Sequence, residues 1–443
     1  MIIAKFGGTS VSSYARILTI CQIVKEQKAK DPIIVVSALS GVTDLLLSLP
    51  FTPEYKVKIE LSRLRSIHKD LINQVFKNIE TQKKVQDFVN EKVVELSSLD
   101  LKNSSKKSLD KLASFGEIMS SYIISEALNQ KGIQSIPVIA TDLIVTNDNF
   151  GSAEFILKPT ERKVKKVLNP LVFKKIVPVV TGFIGSTVKG DATTLGRGGS
   201  DYSASIIGLC LKASEIQIWT DVDGIFNADP KLIKKAKSLP AVSFREAAEL
   251  ATFGAKVLHP RAIRPAIKMG IPVKVLNTFN PKGRGTLIVK RTINTNKIKA
   301  ISYKRKITLV NIYSTEMLLQ KGFLAKVFSI FAKNNISIDL VSVSEVSISV
   351  TLDNKDNLQN AILELSKFAK VTQVDDLGMV SLIGGGISDS TQNIKNIFNT
   401  LDKQRILAKM VSLGATNINI SIVLQSKHVE KAVKSLHKAL LQL

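Results

Sequence analysis

Several short segments carry residue types that could do chemistry. KFGGTSV (5–11) follows an apolar run and opens a helical one. Glycines placed there let backbone N–H groups approach a phosphate, and Lys5 can set a positive charge on it. Alone, a Gly-Gly pair is more often just a turn. SALSGVTD (37–44) also follows an apolar run, and its small hydroxyl residues suit a ligand's polar groups. TLGRGGSDYSA (194–204) is more specific: glycines at 196, 198 and 199 surround Arg197, and Ser200-Asp201 reads as the cap of the next helix. A forked guanidinium amid bare backbone suits bidentate binding of a carboxylate or phosphate. WTDVDGIFNADPK (219–231) looks like half of a calcium loop, but its glycine falls at the fourth position instead of the sixth and no glutamate closes it, so calcium is rejected. His259 precedes a proline at a helix end without a nucleophile pattern beside it and reads as structural. Glu117 lies on an otherwise apolar helical face, where a surface glutamate is the plain reading.

These segments must be held by an alternating frame. MIIAKF (1–6), PIIVVSAL (32–39), IQSIPVIA (133–140), KIVPVVTGFIG (175–185), EIQIWTDV (215–222) and IPVKVLN (271–277) read as strands, with helical patterns between them. Residues 54–130 are helix-dominated. Strands alternating with helices imply a mostly parallel sheet covered on both faces. VSFREAAELATFGAKVLHP opens with a capping box, Ser243 and Glu246, and His259-Pro260 closes the helix. Beyond the polar NPKGRGTLI and TINTNKIK stretches the pattern changes. Residues 306–376 read as β-α-β-β-α-β, and residues 378–443 as β-α-β-β-α with no sixth strand. IKAISY (298–303) is the strand-like piece left over, and it completes the second unit, which makes the first unit an insertion within the second.

Composition narrows the classes. The chain has 443 residues, 62 Lys+Arg against 37 Asp+Glu, and two cysteines. The length allows about two to four domains. At 44% hydrophobic residues it is no disordered chain. No stretch approaches the ~18–20 apolar residues that span a bilayer, and the amino terminus lacks the form of a signal peptide, so neither a membrane protein nor a secreted one is expected. Cys21 and Cys210 fit apolar helices and a reducing, cytoplasmic setting. The charge of +25 invites a nucleic-acid reading, but the excess is spread along the chain and no RNP-like aromatics, Cys/His finger or glycine-arginine run accompanies it. A solvated basic surface is the better reading.

Taken together, KFGGTSV, SALSGVTD, LASFGEIMS, TLGRGGSDYSA, WTDVDGIFNADP and FGAKVLHP, in this order and spacing, strongly resemble aspartokinase over essentially the whole chain. GFLAKVFSIFAKNNISIDLVSVSEVSISVTLD resembles the regulatory region of the monofunctional, lysine-sensitive enzymes. The resemblance implies an α/β amino-acid-kinase fold, a mostly parallel sheet sandwiched by helices, over residues 1–292. Two ferredoxin-like βαββαβ ACT domains would follow, at 306–376 and at 378–443 completed by 298–303. It implies ATP-dependent phosphorylation of the L-aspartate β-carboxylate to 4-phospho-L-aspartate, with Mg²⁺. That reaction is the first step toward lysine, threonine and methionine.

The site residues follow from the same resemblance. Lys5, Gly7 and Gly8 would contact ATP phosphates, and Thr220, Asp221, Phe226, Lys231, Lys256 and Val257 would complete the nucleotide site. Ser37, Thr43, Glu117, Arg197, Ser200 and Asp201 would surround aspartate. Arg197 would take the α-carboxylate and Glu117 the α-ammonium, with Lys5, Arg197 and Asp201 as the catalytic set. Phe226 and Lys231 depart from the family's tyrosine and arginine, losing a hydroxyl and a bidentate fork. Met317, Phe323, Leu324, Ser337, Ile338, Asp339, Ser344 and Glu345 match positions around lysine in the lysine-inhibited relatives, where the acidic pair would meet ammonium groups. Phe323, Leu324 and Ile338 also read simply as ACT core. A homodimer or dimer of dimers through the ACT domains is implied. The competing readings are another amino-acid kinase and an inactive amino-acid sensor; the tandem ACT units with the Glu117/Arg197 pair speak against the first, and intact Lys5, Arg197 and Asp201 against the second.

Overall fold

The computed structural model describes residues 1–252, 258–292, 297–318, 320–413 and 417–441. It divides into two bodies: Met1–Ile225, Ser238–Ala247 and Lys256–Arg291 form the first, and Phe226–Lys237, Ala248–Ala255 and Thr292–Leu443 the second.

In the first body the strands are β1 (Ile2–Phe6), β2 (Pro32–Val36), β3 (Ser135–Val138), β4 (Val145–Thr146), β5 (Val177–Thr181), β6 (Ile184–Thr187), β7 (Ala192–Thr194), β8 (Glu215–Thr220), β9 (Ala241–Ser243), β10 (Val273–Asn277) and β11 (Thr286–Val289). Eight of them build one sheet in the order β3-β5-β2-β1-β8-β10-β11-β9, parallel except where β11 runs against β10. Every residue of β1, β2 and β5 is buried. Central parallel strands are covered on both faces, which is why they are unbroken apolar runs in sequence. The covering helices include α1 (Gly8–Val11), α2 (Tyr14–Glu26), α3 (Val42–Ser48), α4 (Glu54–Val75), α5 (Ile79–Ser97), α6 (Lys106–Gln130), α7 (Leu157–Phe173) and α8 (Gly199–Leu211). Phe6 and Trp219 stack at 5.9 Å across β1 and β8, so the single tryptophan is core. Cys21 in α2 and Cys210 in α8 are free and buried.

One local reading changes. The run 175–185 is not one strand: it breaks at Gly182-Phe183, and β5 and β6 enter different sheets. Phe183 takes a left-handed φ of +66°. A Cβ on Gly182 would lie 2.6 Å from the Ser200 Cβ, so the chain turns where Ser200 packs onto it. Downstream, Ser243 and Glu246 do form the capping box at the start of α9 (Phe244–Thr252), with reciprocal bonds of 2.7 and 3.2 Å. The stretch that joins α9 to Leu258, where His259-Pro260 is expected to close the helix, lies outside the described residues. His259 itself caps a turn at Pro260–Ile263, its Nδ1 accepting from the Arg261 N–H, and α10 (Arg264–Met269) follows.

The second body holds a six-stranded antiparallel sheet. Its strands are β12 (Ala300–Tyr313), β13 (Leu340–Val343), β14 (Ser347–Leu352), β15 (Lys370–Ile383), β16 (Met410–Leu413) and β17 (Asn419–Gln425), in the order β13-β14-β12-β15-β17-β16. β12 and β15 are long enough to serve twice. Residues 307–313 of β12 pair with 370–377 of β15, and residues 300–305 pair with 378–383, with register shifts near Ile307. Helices α11 (Phe323–Lys333) and α12 (Leu358–Leu365) cover the first half, and α13 (Thr391–Lys403) and α14 (Val429–Leu440) the second. Each half has its own apolar cluster, one around Val310, Phe331 and Val350 and one around Ile301, Ile422 and Leu436.

Candidate active site

The parallel strands β1, β2 and β8 all deliver their carboxyl ends to one edge of the sheet, where open α/β folds place their ligands. Lys5 is the fourth residue of β1, and only 9% of its surface is exposed. Its Nζ lies 2.6 Å from Asp201 Oδ1, an ion pair without a hydrogen bond's alignment. Asp201 therefore does not cap α8. The helix begins at Gly199 after a left-handed Gly198, and Ser200 and Asp201 lie in its first turn facing the β1–β2 edge. Ser37 at the end of β2 donates to Ser200 Oγ at 3.0 Å. An isolated lysine in so dry a place would be costly, and Asp201 supplies the countercharge.

Glu117 is placed by α6. Its neighbour Gly116 lets the helix approach the loop after β2, since a Cβ there would lie 2.8 Å from the Ala38 Cβ. The Ala38 N–H then donates to Glu117 Oε1 at 3.2 Å, while Oε2 has no partner. Glu117 is 2% exposed, and burial pushes its pKa up to about 8 against the pull of that N–H. It is a buried acid, not the surface glutamate of the plain reading. Arg197 is the opposite case: exposed, with no hydrogen bond or ion pair among the described residues. Thr43 is half-buried in the first turn of α3.

Lys5, Ser37, Thr43, Glu117, Arg197, Ser200 and Asp201 line one cleft of about 770 Å³. The cleft thus holds an unengaged guanidinium, a buried acid with a free oxygen, and an ion-paired ammonium. Lys106, Asp110, Asn149, Phe150, Ser152 and Phe183 also line it, and none was singled out from sequence. Beside it, the Gly7 N–H donates to the Trp219 carbonyl at 3.1 Å, so Gly7-Gly8 and Thr220-Asp221 leave paired strands side by side. Thr220 Oγ1 donates to Asp221 Oδ1 at 3.2 Å. Phe226 and Lys231 belong to the second body, half-buried and exposed respectively, and the Lys231 N–H donates to Asp229. Lys256 and Val257 lie outside the described residues. No group of three or more His, Cys, Asp or Glu among the described residues could hold a metal ion.

In the second body, Phe323 is buried and meets Phe368 edge-on at 5.6 Å, and Met317 and Ile338 pack against the same cluster. Leu324 is 40% exposed, so it is not core. Ser337, Ser344 and Glu345 are exposed, and Ser344 Oγ shares a 2.7 Å hydrogen bond with Ser347. Asp339 is already engaged: Lys304 Nζ lies 3.0 Å from its Oδ1, while Oδ2 is buried and unpartnered. Burial raises the Asp339 pKa, with Lys304 opposing.

Comparison with known proteins agrees with this architecture. Residues 1–277 match the amino acid kinase family, and residues 310–367 and 380–440 each match an ACT domain. The chain is 35% identical to lysine-sensitive aspartokinase 3 of Escherichia coli, over 100% of this chain and 99% of that protein. The crystal structure of E. coli aspartokinase III in complex with aspartate and ADP superposes with a TM-score of 0.85 at 33% identity, covering 100% of both chains. The complex of that enzyme with lysine and aspartate gives 0.79 at 33% identity, again covering 100% of both.

Proposed function

The chain belongs to the amino acid kinase family and, within it, to the aspartokinases, and from that premise we propose how its residues phosphorylate the β-carboxylate of L-aspartate with ATP. The observation that carries the reading is the cleft in which Arg197, Glu117 and Lys5 converge. Arg197 takes the substrate α-carboxylate through its free fork, and Glu117 takes the α-ammonium through its unpartnered oxygen. Together they leave the β-carboxylate facing the nucleotide. That carboxylate has a pKa near 4 and is already an ionised nucleophile at pH 7, so no general base is required. The obstacle is repulsion between two anions. Phosphoryl transfer is chiefly positioning and charge stabilisation. Lys5 supplies the charge at the transferring group, and Asp201 holds its ammonium in place. The Gly8 N–H faces the phosphates, and Gly7, whose own N–H is held by the Trp219 carbonyl, lets them approach its bare backbone.

Mg²⁺ enters with the nucleotide as part of that substrate and is held mainly by phosphate oxygens. Thr220, Asp221, Phe226, Lys231, Lys256 and Val257 form the rest of the nucleotide site. Residues 1–292 are the catalytic domain, 306–376 the first ACT domain, and 378–443 with 298–303 the second. The enzyme works in the cytoplasm as a homodimer through its ACT domains and is inhibited by L-lysine. Asp339 and Glu345 meet the effector's ammonium groups, Ser337 its carboxylate, and Met317 and Phe323 its stem. Lysine must favour one conformation over another to inhibit, because equal affinity for both shifts nothing. No helix among the described residues is long and apolar enough to cross a membrane.

The test is ADP release with aspartate, glutamate and acetylglutamate in turn, with and without lysine or threonine. Turnover with aspartate and inhibition by lysine are expected. Turnover with glutamate or acetylglutamate instead would overturn the reading.

A further inference from the structure

Asp110 sits seven residues before Glu117, two turns away on the same face of α6. It is 3% exposed, and its carboxylate accepts three hydrogen bonds. The Gly151 N–H and the Thr194 N–H each reach Oδ2 at 2.8 Å, and Thr194 Oγ1 reaches Oδ1 at 2.6 Å. Burial raises its pKa, while those donors pull it down. Three donors and no acceptor match an ionised carboxylate, which only accepts.

The donors come from two pieces of the cleft wall. Gly151 lies in the segment 149–152, which lines the cleft, and Thr194 ends β7, three residues before Arg197. The two pieces are also tied to each other, since the Ala153 N–H donates to the Thr194 carbonyl at 2.9 Å. From the far side, Arg261 grips the same segment. It donates to Ser152 Oγ at 2.6 Å and to the Ser152 and Ala153 carbonyls at 3.2 and 2.9 Å, and pairs with Glu154 at 3.0 Å.

We propose that Asp110 is a positioning residue for aspartate recognition, one carboxylate that sets the separation between the Glu117 helix and the Arg197 loop. The proposal rests on the reading of this cleft as the aspartate site. An amino acid held by its α-carboxylate and its α-ammonium needs the two holders at a fixed distance, and a misplacement of about 1 Å can cost about 100-fold. Asparagine at 110 offers one carbonyl oxygen and an amide donor. Its carbonyl can still take the two N–H groups and its amide can donate to the Thr194 hydroxyl, but the cradle loses the carboxylate's charge and its 2.6 Å bond to that hydroxyl, and so its grip on the two wall pieces.

The test uses the full chain and the variants Asp110→Asn, Thr194→Val and Arg261→Gln, with KM for aspartate, KM for ATP, kcat and Tm measured for each. Asp110→Asn should raise the aspartate KM about tenfold or more and leave the ATP KM within about twofold. Thr194→Val removes only the 2.6 Å bond and should shift the aspartate KM in the same direction by less. Arg261→Gln should act on the same parameter from the other side of the segment. A folded Asp110→Asn enzyme with the wild-type aspartate KM would overturn the proposal, as would equal rises in both KM values. If Asp110→Asn does not fold, an unchanged aspartate KM in Thr194→Val overturns it. Absence of aspartate-dependent turnover in the wild type would instead strike the cleft reading itself.

Discussion

Aspartate binding should release a proton from Glu117, because an acid with a pKa of about 8 must ionise to hold an ammonium group. In the free enzyme at pH 7 only about one molecule in eleven has the carboxylate ready. The free state binds more protons than the complex, so affinity rises with pH until Glu117 is ionised unaided. Between pH 6.5 and 8.5 the Kd for aspartate should fall about 25-fold, a coupling of about 2 kcal/mol. Calorimetry in buffers of different ionisation enthalpy reads the proton directly: close to one released at pH 6.5, few at pH 8.5. Glu117→Gln keeps the shape but not the charge. Its affinity should be weak throughout and flat with pH. A wild-type Kd that does not change over this range, or proton uptake on binding, would refute the reasoning.

Other outcomes follow from the same geometry. Without ligand, the raised Glu117 pKa contributes stability that is fully present below its unfolded value, 4.5, and is lost as pH rises through about 8. The Tm of the wild type relative to Glu117→Gln should therefore fall between pH 5 and 8.5; a constant difference would contradict the buried acid. Lys5→Ala should cut kcat by about 100- to 1,000-fold with circular dichroism unchanged, and near-normal turnover would remove Lys5 from the catalytic set. Glu345 is exposed, so Glu345→Ala should abolish lysine inhibition without lowering Tm. Asp339→Ala should also desensitise the enzyme but lower its Tm, because it takes a partner from the half-buried Lys304. Retained lysine inhibition in both would reject the effector site.

Much of the frame was legible because central parallel strands write themselves as apolar runs and the regulatory repeat shows its periodicity twice. The glycine-rich segments were legible because bare backbone beside an arginine has few other uses. What could not be read depends on contacts between distant residues. Asp110 has no local signature; its partners Gly151 and Thr194 lie 41 and 84 residues away. The break at Gly182-Phe183 is marked only by Thr181 and one glycine within the strand-like run, and the close approach of Ser200 is what explains it. Ser200-Asp201 had the look of a cap, and only the parallel β1 that brings Lys5 alongside turns Asp201 into its partner. Lys304 and Asp339 likewise meet across 35 residues of chain. Burial also reverses chemistry that sequence suggests: on one helix face a glutamate reads as solvated, yet 2% exposure makes Glu117 a weak acid.

The central claim is that the acceptor is the substrate's carboxylate, and hydroxylamine trapping tests it most directly. An acyl phosphate reacts with hydroxylamine to give a hydroxamate, which ferric ion turns coloured, and free phosphate, whereas a phosphate ester does not. With ATP, Mg²⁺ and L-aspartate the wild-type chain should form aspartyl hydroxamate in step with ADP, and the yield should collapse in Lys5→Ala. ADP formed from ATP and aspartate with no hydroxamate would contradict the account.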